Sequence, residues 1–168
     1  MNNMKFNIRL INEHDWQTYK EIRLRSLKES PDAFCNTYES AFRESDQQWQ
    51  DRCKPKPDQK ALPLLAEIDG QVHGVAWGVI HSLEDTTANV YQMWVSPDAR
   101  GLGMGRSLLE AIVDWSRSQG MATVTLGVNT TNKAAIKLYE SLGFEITGEP
   151  EPMREGSEDR VQTMTLSF

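Results

Sequence analysis

The chain has 168 residues, the length of one ordinary domain, and its 39% apolar and 25% charged residues indicate a globular rather than a disordered protein. The net charge of −6 argues against a nucleic-acid partner, which needs a basic face, and weakly favours cationic small molecules or basic peptides. No stretch approaches the ~18 apolar residues of a membrane span, so no membrane partner is expected. We therefore expect a single domain over residues 1–168.

The two cysteines, Cys35 and Cys53, have no metal-ligand spacing and are too few for a disulfide framework. Reduced thiols are typical of a cytosolic protein. Residues 1–5 contain no apolar run that would indicate a leader peptide. The sequence predicts a cytoplasmic protein that binds no metal.

The first third of the chain predicts a strand followed by two helices. Phe6, Ile8 and Leu10 alternate with polar residues, as in a half-buried strand. Apolar residues at near-helical spacing predict a helix over residues 15–30, and a second, more polar helix is expected over 39–52.

The remainder predicts mostly strands, with two further helices. A hairpin turn at Asp69 and Gly70 joins the first two of these strands. The predicted strands cover residues 62–68, 72–80, 89–95, 123–128, 144–147 and 161–168, and the predicted helices cover 106–118 and 133–142. The expected order is β-α-α-β-β-β-α-β-α-β-β.

A glycine-rich turn between a strand and a helix is the central feature. Glycines at 101, 103 and 105 precede the helix at residue 106. A helix start presents unpaired backbone N–H groups, and glycines let a ligand approach them, so this pattern favours a phosphate-bearing ligand. The same pattern also fits a plain tight turn.

Two common phosphate-binding patterns do not match. A Walker loop needs Gly-Lys followed by Ser or Thr, whereas Arg106 follows Gly105 here. A dinucleotide fingerprint needs the spacing G-x-G-x-x-G early in a parallel array, and the preceding strands here are predicted to be antiparallel hairpins.

Residues 95–105 closely resemble the acetyl-CoA pyrophosphate loop of the GCN5-related N-acetyltransferase (GNAT) superfamily. The family pattern Arg/Gln-x-x-Gly-x-Gly/Ala is matched by Arg100, Gly103 and Gly105. Residues 132–144, from Asn132 to Phe144, resemble the family's next signature at the usual separation. The resemblance is specific only between about residues 90 and 147.

The resemblance implies a mixed, largely antiparallel sheet of about 6–7 strands flanked by about four helices. It also implies an acetyl-CoA-dependent N-acetyltransferase whose acceptor is a primary amine of a small molecule or peptide. Family members are often dimers, so a homodimer is a candidate assembly. The residues implied to bind acetyl-CoA are Met93, Val95, Arg100, Gly101, Leu102, Gly103, Met104, Gly105, Arg106, Ser107, Asn132 and Tyr139.

Tyr139 is the candidate catalytic residue. In the family the matching tyrosine lies near the CoA sulfur and acts as general acid, and a phenol is a proton donor at neutral pH. Spacing alone favours core packing, because Ala135, Leu138 and Leu142 lie one turn away. Asn132 is expected to cap the helix, and the family's matching Asn also contacts CoA.

The general base is not identified. Many family members carry a Glu on the strand before the loop, but residues 89–95 contain no carboxylate, and Gln92 can only orient a water. Carboxylates at Glu29, Asp32 or Glu39, or in the segment 149–159, are alternatives, although each fits a solvated surface residue better. His73 and His81 are expected to be structural, and Trp77 and Trp94 to be core residues.

The acceptor is expected beside residues 30–39 and 149–160, by analogy with the family. Both segments are acid-rich, which suggests a cationic primary amine. Two other classes stay open: a module that binds acetyl-CoA without chemistry, and a nucleotide-binding α/β domain.

Overall fold

A computed structural model describes residues 5–168. The prediction about a leader peptide therefore rests mainly on residues outside the described part. No helix within residues 5–168 is both long and apolar enough to cross a membrane.

One sheet of seven strands forms the centre of the molecule, in the order β1-β2-β3-β4-β5-β7-β6. Every neighbouring pair is antiparallel except β4 and β5, which run parallel. This confirms the mixed, largely antiparallel sheet. The strands are β1 Asn7–Leu10, β2 Lys60–Ile68, β3 Gln71–Ile80, β4 Thr87–Val95, β5 Thr123–Asn129, β6 Glu145–Pro152 and β7 Arg160–Ser167.

The described residues form five α-helices rather than about four. The helices are α1 Trp16–Glu29, α2 Tyr38–Phe42, α3 Asp46–Arg52, α4 Met104–Ser118 and α5 Lys133–Ser141. The single helix predicted over residues 39–52 is wrong, because it divides into α2 and α3. Ser45 starts α3 with a capping box, in which its hydroxyl accepts from the Gln48 N–H and the Gln48 side chain accepts from the Ser45 N–H.

Two apolar clusters hold the helices on opposite faces of the sheet. On one face, α4 buries a stripe of residues, including Leu108, Leu109 and Ile112, each 0% exposed. On the other face, α1 and α3 pack through Tyr19 and Trp49, also both 0% exposed, whose rings meet edge to face. The sheet is thus the central layer between these two cores.

The parallel pair β4 and β5 stays together over only part of its length. Residues 87–89 pair with residues 123–125, and beyond them the two strands share no further register. The carboxyl-terminal halves of β4 and β5 therefore face one another across a gap, which we call the seam. Its backbone N–H and C=O groups lack the ladder partners that a closed sheet would provide.

A β-bulge distorts β4 beside the seam. The register with β3 shifts between Val75 and Trp77, and Gln92 adopts a left-handed backbone with φ 59°. Such a conformation is uncommon outside glycine and marks a position held by its surroundings. The Tyr19 hydroxyl donates a 2.8 Å hydrogen bond to Gln92 Oε1, which helps to hold it.

Candidate functional site

The seam widens into a cavity of about 700 Å³, here called the main cavity. This volume is within the range of small-molecule and cofactor sites. It lies between the ends of β4 and β5, the start of α4, the helix α5 and the short turn Pro31–Ala33. All the residues predicted to bind acetyl-CoA line it except Leu102 and Ser107.

The start of α4 presents backbone donors to the main cavity. Gly103 precedes the helix in a left-handed conformation, with φ 81°, and supplies no capping side chain. The first backbone hydrogen bond of the helix runs from the Ser107 N–H to the Gly103 carbonyl. The N–H groups of the three residues between them have no partner inside the helix, and the positive end of the helix dipole lies with them.

The three glycines of the loop differ in backbone conformation. Gly101 and Gly103 have positive φ values of 84° and 81°, which other residues adopt only under strain. Gly105 is helical, and a Cβ there would make ordinary contacts, 3.7 Å from Val95 Cγ2 and 3.8 Å from Leu138 Cδ2. Backbone conformation therefore does not require glycine at position 105, whereas close approach of a ligand would.

Two arginines at the mouth of the main cavity already have protein partners. Arg100 Nε donates to the Val95 carbonyl at 3.1 Å. Arg106 Nη2 donates to the Ser141 hydroxyl at 2.7 Å, and Arg106 Nη1 lies 3.6 Å from Glu110. These contacts keep positive charge beside the N-terminus of α4.

Tyr139 belongs both to the cavity wall and to the apolar core. It is 7% exposed, and its ring centroid lies 6.2 Å from that of Phe144. Within residues 5–168, no side chain or backbone group hydrogen-bonds to its hydroxyl. Burial raises the pKa of Tyr139 to about 12, so the phenol carries its proton at neutral pH.

Asn132 caps α5 at the edge of the main cavity. Its side-chain oxygen accepts from the Ala135 N–H at 3.2 Å, as predicted for an N-cap. The amide nitrogen of Asn132 makes no hydrogen bond within the described residues and stays available beside Tyr139.

A second space of about 80 Å³, here called the small cavity, lies deeper along the seam. Its wall includes Phe34, Gln92, Gly127 and Tyr139, the last of which also lines the main cavity. The two spaces therefore meet at Tyr139. Because Gln92 reaches the wall of the small cavity and is oriented by Tyr19, it supplies a fixed polar group there.

The turn Pro31–Ala33 is tied across the seam by side chains from two other elements. Asn129 at the end of β5, 4% exposed, donates through Nδ2 to the Asp32 carbonyl at 2.7 Å. Arg154, between β6 and β7, donates through Nη2 to the Pro31 carbonyl at 3.3 Å. Sequence patterns missed both residues, since these contacts join segments about a hundred residues apart.

The candidate carboxylates are distributed unevenly. Glu29 and Asp32 line the main cavity, and Glu29 accepts from Arg25 Nε at 3.4 Å. Glu39 and the acidic residues of 149–159 line neither cavity. No carboxylate lines the small cavity.

The histidines and tryptophans considered above have structural partners. His73 Nδ1 lies 3.0 Å from the Ser96 hydroxyl, and His81 Nε2 lies 2.7 Å from the Tyr91 hydroxyl. Trp77 and Trp94 are 9% and 4% exposed and pack in the core beside α1. Within residues 5–168, no group of three His, Cys, Asp or Glu side chains is arranged to hold a metal ion.

Known proteins resemble this chain in sequence as well as in fold. A mycothiol acetyltransferase from Thermobispora bispora is 32% identical over 134 residues, which are 77% of this chain and 43% of that protein. The chain thus spans less than half the length of that relative.

Solved structures show the same fold at lower identity. A Salmonella typhimurium protein with its cofactor acetyl-CoA has a TM-score of 0.74 and 23% identity, over 97% of this chain and 94% of that one. A spermidine N-acetyltransferase from Vibrio cholerae, in complex with CoA and spermine, has a TM-score of 0.75 and 18% identity, over 99% of this chain and 96% of that one.

The family model described as Acetyltransferase (GNAT) family matches residues 17–144, which include the glycine loop, Tyr139 and the whole seam. The chain belongs to the GNAT acetyltransferase family.

Proposed function

We propose that this protein transfers an acetyl group from acetyl-CoA to a primary amine of a small molecule or peptide. The observation that carries the proposal is the seam, which opens on the N-terminus of α4 and on Tyr139 in one cavity. A thioester cofactor laid along the seam would meet both. The names of the matched relative and of the spermidine N-acetyltransferase support acetyl transfer to a small molecule.

The pyrophosphate of acetyl-CoA would lie on the start of α4. The N–H groups of Met104, Gly105 and Arg106 are the donors without helical partners, and the helix dipole favours an anion there. Gly101 and Gly103 keep the approach open. Arg100 and Arg106 add positive charge at the rim.

The pantetheine arm would follow the open edge of β4. Met93 and Val95 line the main cavity, and no strand pairs with them across the seam. An extended amide chain can pair with such an edge in the way that an added strand does. This arrangement delivers the thioester to the point where the main and small cavities meet.

The reaction needs a neutral amine and a protonated leaving group. A lysine-like amine costs about 4 kcal/mol to deprotonate at pH 7.4. Its nitrogen would then attack the thioester carbonyl, the C–S bond would break, and the Tyr139 hydroxyl would give its proton to the sulfur. The proton on the attacking nitrogen would leave to water, since no carboxylate lines the small cavity, and the Tyr139 phenolate would regain a proton from water. Tyr139 is buried and protonated, as this role requires.

The proposal is tested by incubating the protein with acetyl-CoA and a panel of amines, and detecting acetylated products by mass spectrometry. We expect CoA release only when an amine is present. A no-amine control is needed, because the exposed Cys35 thiol could react with the cofactor or with a thiol dye. Binding of acetyl-CoA with no amine-dependent turnover across the panel would instead favour the non-catalytic module.

Replacing Tyr139 by Phe separates catalysis from binding. Tyr139→Phe keeps the ring that packs near Phe144 but removes the proton donor. We expect turnover to fall by about 10²–10⁴-fold, the range of a general acid, with little change in acetyl-CoA affinity. An unchanged rate would remove Tyr139 from the chemistry while leaving the transferase assignment intact.

The compartment and the assembly are also part of the proposal. Cys35 and Cys53 are both free thiols, which fits a reducing cytoplasm. A homodimer is the assembly suggested by the family resemblance, and sedimentation of the purified protein measures it directly.

A further inference from the structure

The small cavity adjoins the place where the acyl group of the cofactor is proposed to lie. Tyr139 lines both cavities, and its hydroxyl is the proposed proton donor to the sulfur. The acyl carbon is bonded to that sulfur, so the chain that it carries begins beside Tyr139. With the CoA arm in the main cavity, the small cavity is the adjoining space that can receive this chain.

The small cavity is larger than the methyl group of an acetyl requires. Its volume is about 80 Å³. A space of about 10–15 Å³ admits one water, which is close in size to a methyl group, and a cavity of about 150 Å³ binds benzene. By this scale the small cavity holds about three carbon atoms. The chain of an acetyl group would fill only part of it, whereas that of a butyryl group would fill it.

Apolar side chains from both strands of the seam line the small cavity. They include Val90 of β4 and Leu126 and Val128 of β5. These residues are 6%, 6% and 5% exposed and belong to the core cluster that packs against α4. Since core side chains are closely packed, the size of the cavity is set by the fold itself.

The two cavities differ in charge. No Asp, Glu, Lys, Arg or His among residues 5–168 lines the small cavity. The main cavity has charged side chains of both signs in its wall, namely Glu29, Asp32, Arg100 and Arg106. An ion enclosed by an uncharged wall has no compensating partner. A cationic acceptor therefore suits the main cavity, and a neutral chain suits the small one.

The amide side chains in the wall of the small cavity are held by other parts of the protein. Gln92 Oε1 accepts from the Tyr19 hydroxyl at 2.8 Å. Asn129 uses both ends of its amide, donating to the Asp32 carbonyl at 2.7 Å and accepting from the Thr131 N–H at 2.9 Å. The wall is thus neutral and mixed, which suits a short chain better than a long hydrocarbon tail.

We propose that the small cavity is an acyl-chain pocket, and that the protein transfers propionyl and butyryl groups as well as acetyl. In each transfer the amine nitrogen bonds to the acyl carbon, the C–S bond breaks, and the sulfur takes the proton of Tyr139. The proton of the nitrogen leaves to water, as in acetyl transfer. The inference rests on the proposed acetyl transfer and extends its donor to short-chain acyl-CoA thioesters.

The first test compares acetyl-, propionyl-, butyryl- and hexanoyl-CoA with one amine. We expect kcat/KM for propionyl and butyryl within about tenfold of acetyl, and hexanoyl at least about tenfold below butyryl, because its chain exceeds the cavity. A pocket closed around acetyl would reject one added methylene by about 10–200-fold. A fall of more than tenfold at propionyl or butyryl would overturn the proposal. Use of hexanoyl as well as butyryl would also overturn it, since the chain would then lie outside the pocket.

The second test concerns charge. Succinyl-CoA places a carboxylate where butyryl-CoA has its terminal methyl group. We expect kcat/KM for succinyl to be at least about 100-fold below butyryl, as for a buried charge without a partner. A smaller difference would overturn the assignment of an uncharged pocket to the acyl chain.

Val128 allows the pocket to be changed in both directions. Val128→Ile adds a methylene to the wall and should lower the butyryl-to-acetyl ratio of kcat/KM by about tenfold or more. Val128→Ala enlarges the pocket and should raise the hexanoyl-to-acetyl ratio. Val113→Ile, at a half-buried position of α4 that lines neither cavity, is the matched control and should keep both ratios.

Each ratio is measured on one preparation, so a loss of folded protein affects both of its members equally. An unchanged ratio in either Val128 variant, or the same change in Val113→Ile, would overturn the proposal.

A binding measurement separates failure of this inference from failure of the proposed function. Calorimetric titration with the acyl-CoA thioesters, without an amine, needs no turnover. We expect affinity to rise from acetyl to butyryl by up to about fourfold per methylene and to fall at hexanoyl, with the preference for butyryl lost in Val128→Ile. Absence of transfer to any amine would remove the transferase proposal, whereas this Val128-dependent preference would still support the pocket. Equal binding of all the thioesters, or no binding, would overturn the pocket whatever the turnover result.

Discussion

Tyr139 combines two properties that are usually found in different residues. Its ring packs in the core near Phe144, yet the residue lines both cavities. The apolar surroundings that favour core packing also raise its pKa to about 12. The packing role and the acid role are compatible, because the phenol carries its proton at neutral pH, but the raised pKa makes Tyr139 a weaker acid than an unperturbed phenol.

The pH dependence of the reaction follows from this shift. We expect kcat/KM for an amine to rise with pH as the amine loses its proton, with no descending limb from Tyr139 below about pH 10. The folded-state pKa is raised above the unfolded value of about 10. The protonated Tyr139 phenol therefore contributes to folding stability below the unfolded pKa, and this contribution is lost as the pH rises through about 12.

The measurement is kcat/KM against pH for the wild-type protein and for Tyr139→Phe. Both profiles should have the same ascending shape, with the variant lower throughout. A descending limb near neutral pH that vanishes in Tyr139→Phe would contradict the assignment of a strongly raised pKa.

Two glycines of the loop should respond in opposite ways to an added methyl group. Gly103→Ala forces a left-handed backbone onto a residue with a Cβ, at a cost of about 1–2 kcal/mol in the free energy of unfolding. Gly105→Ala finds only ordinary contacts and should be neutral or stabilising by up to about 1 kcal/mol.

Gly105→Ala should keep the stability of the protein but lower its affinity for acetyl-CoA. Gly105→Ala places a methyl group on the wall of the main cavity, beside the donors of α4, so we expect weaker binding of acetyl-CoA. Denaturant unfolding and calorimetric titration measure the two effects. Wild-type affinity in Gly105→Ala would contradict the placement of the pyrophosphate on this helix start.

At the scale of elements, the seam depends on a turn that is tied down from both sides. Asn129 reaches from β5 to the Asp32 carbonyl, and Arg154 reaches from beyond β6 to the Pro31 carbonyl. These contacts fix the turn Pro31–Ala33 as a wall of the main cavity. The proposed acceptor side of the site is thus shaped by residues that would take no part in the chemistry.

Asn129→Ala should loosen this wall. Loss of the buried donor leaves the Asp32 carbonyl without its partner, at a cost of about 1–3 kcal/mol in stability. We expect faster amide hydrogen exchange over residues 31–34 and a higher KM for the acceptor.

Asn89→Ala is the control for that substitution. Its Nδ2 also donates to a backbone carbonyl, that of Val79, but away from the turn. In Asn89→Ala, amide hydrogen exchange over residues 31–34 should be the same as in the wild-type protein. Equal exchange in both variants would show that Asn129 does not hold the turn.

Local sequence signals predicted a helix, strand or turn well where neighbouring residues alone determine it. The strand, glycine turn and helix around Gly103, and the cap at Asn132, are set by neighbouring residues. The break between α2 and α3 was also present as the capping box at Ser45, but the polar pattern of residues 39–52 hid it. Short helices with few buried residues leave a weak periodic signal.

Features made by distant segments could not be predicted in this way. The seam arises because β4 and β5 pair for only three residues, and no local pattern records where a parallel pair separates. Arg23 lies one turn after Tyr19 on the buried face of α1, where a cation is rare and an apolar residue is expected.

At the scale of the whole molecule, the sheet has two parts that meet along the seam. Strands β1 to β4 carry α1 and α4 on opposite faces, while β5, β7 and β6 form the antiparallel remainder. Only residues 87–89 and 123–125 join the parts through the sheet. The opening between the two parts is where cofactor and acceptor are proposed to meet. Binding of acetyl-CoA should therefore slow amide hydrogen exchange along this opening.

Amide hydrogen exchange with and without acetyl-CoA tests this account most directly. We predict protection along residues 91–95, 101–107 and 132–139, the segments that contribute lining residues to the main cavity, and none in β1 or β6 at the sheet edges. Protection confined to other segments, or no protection at saturating acetyl-CoA, would contradict the claim that the seam is the cofactor site.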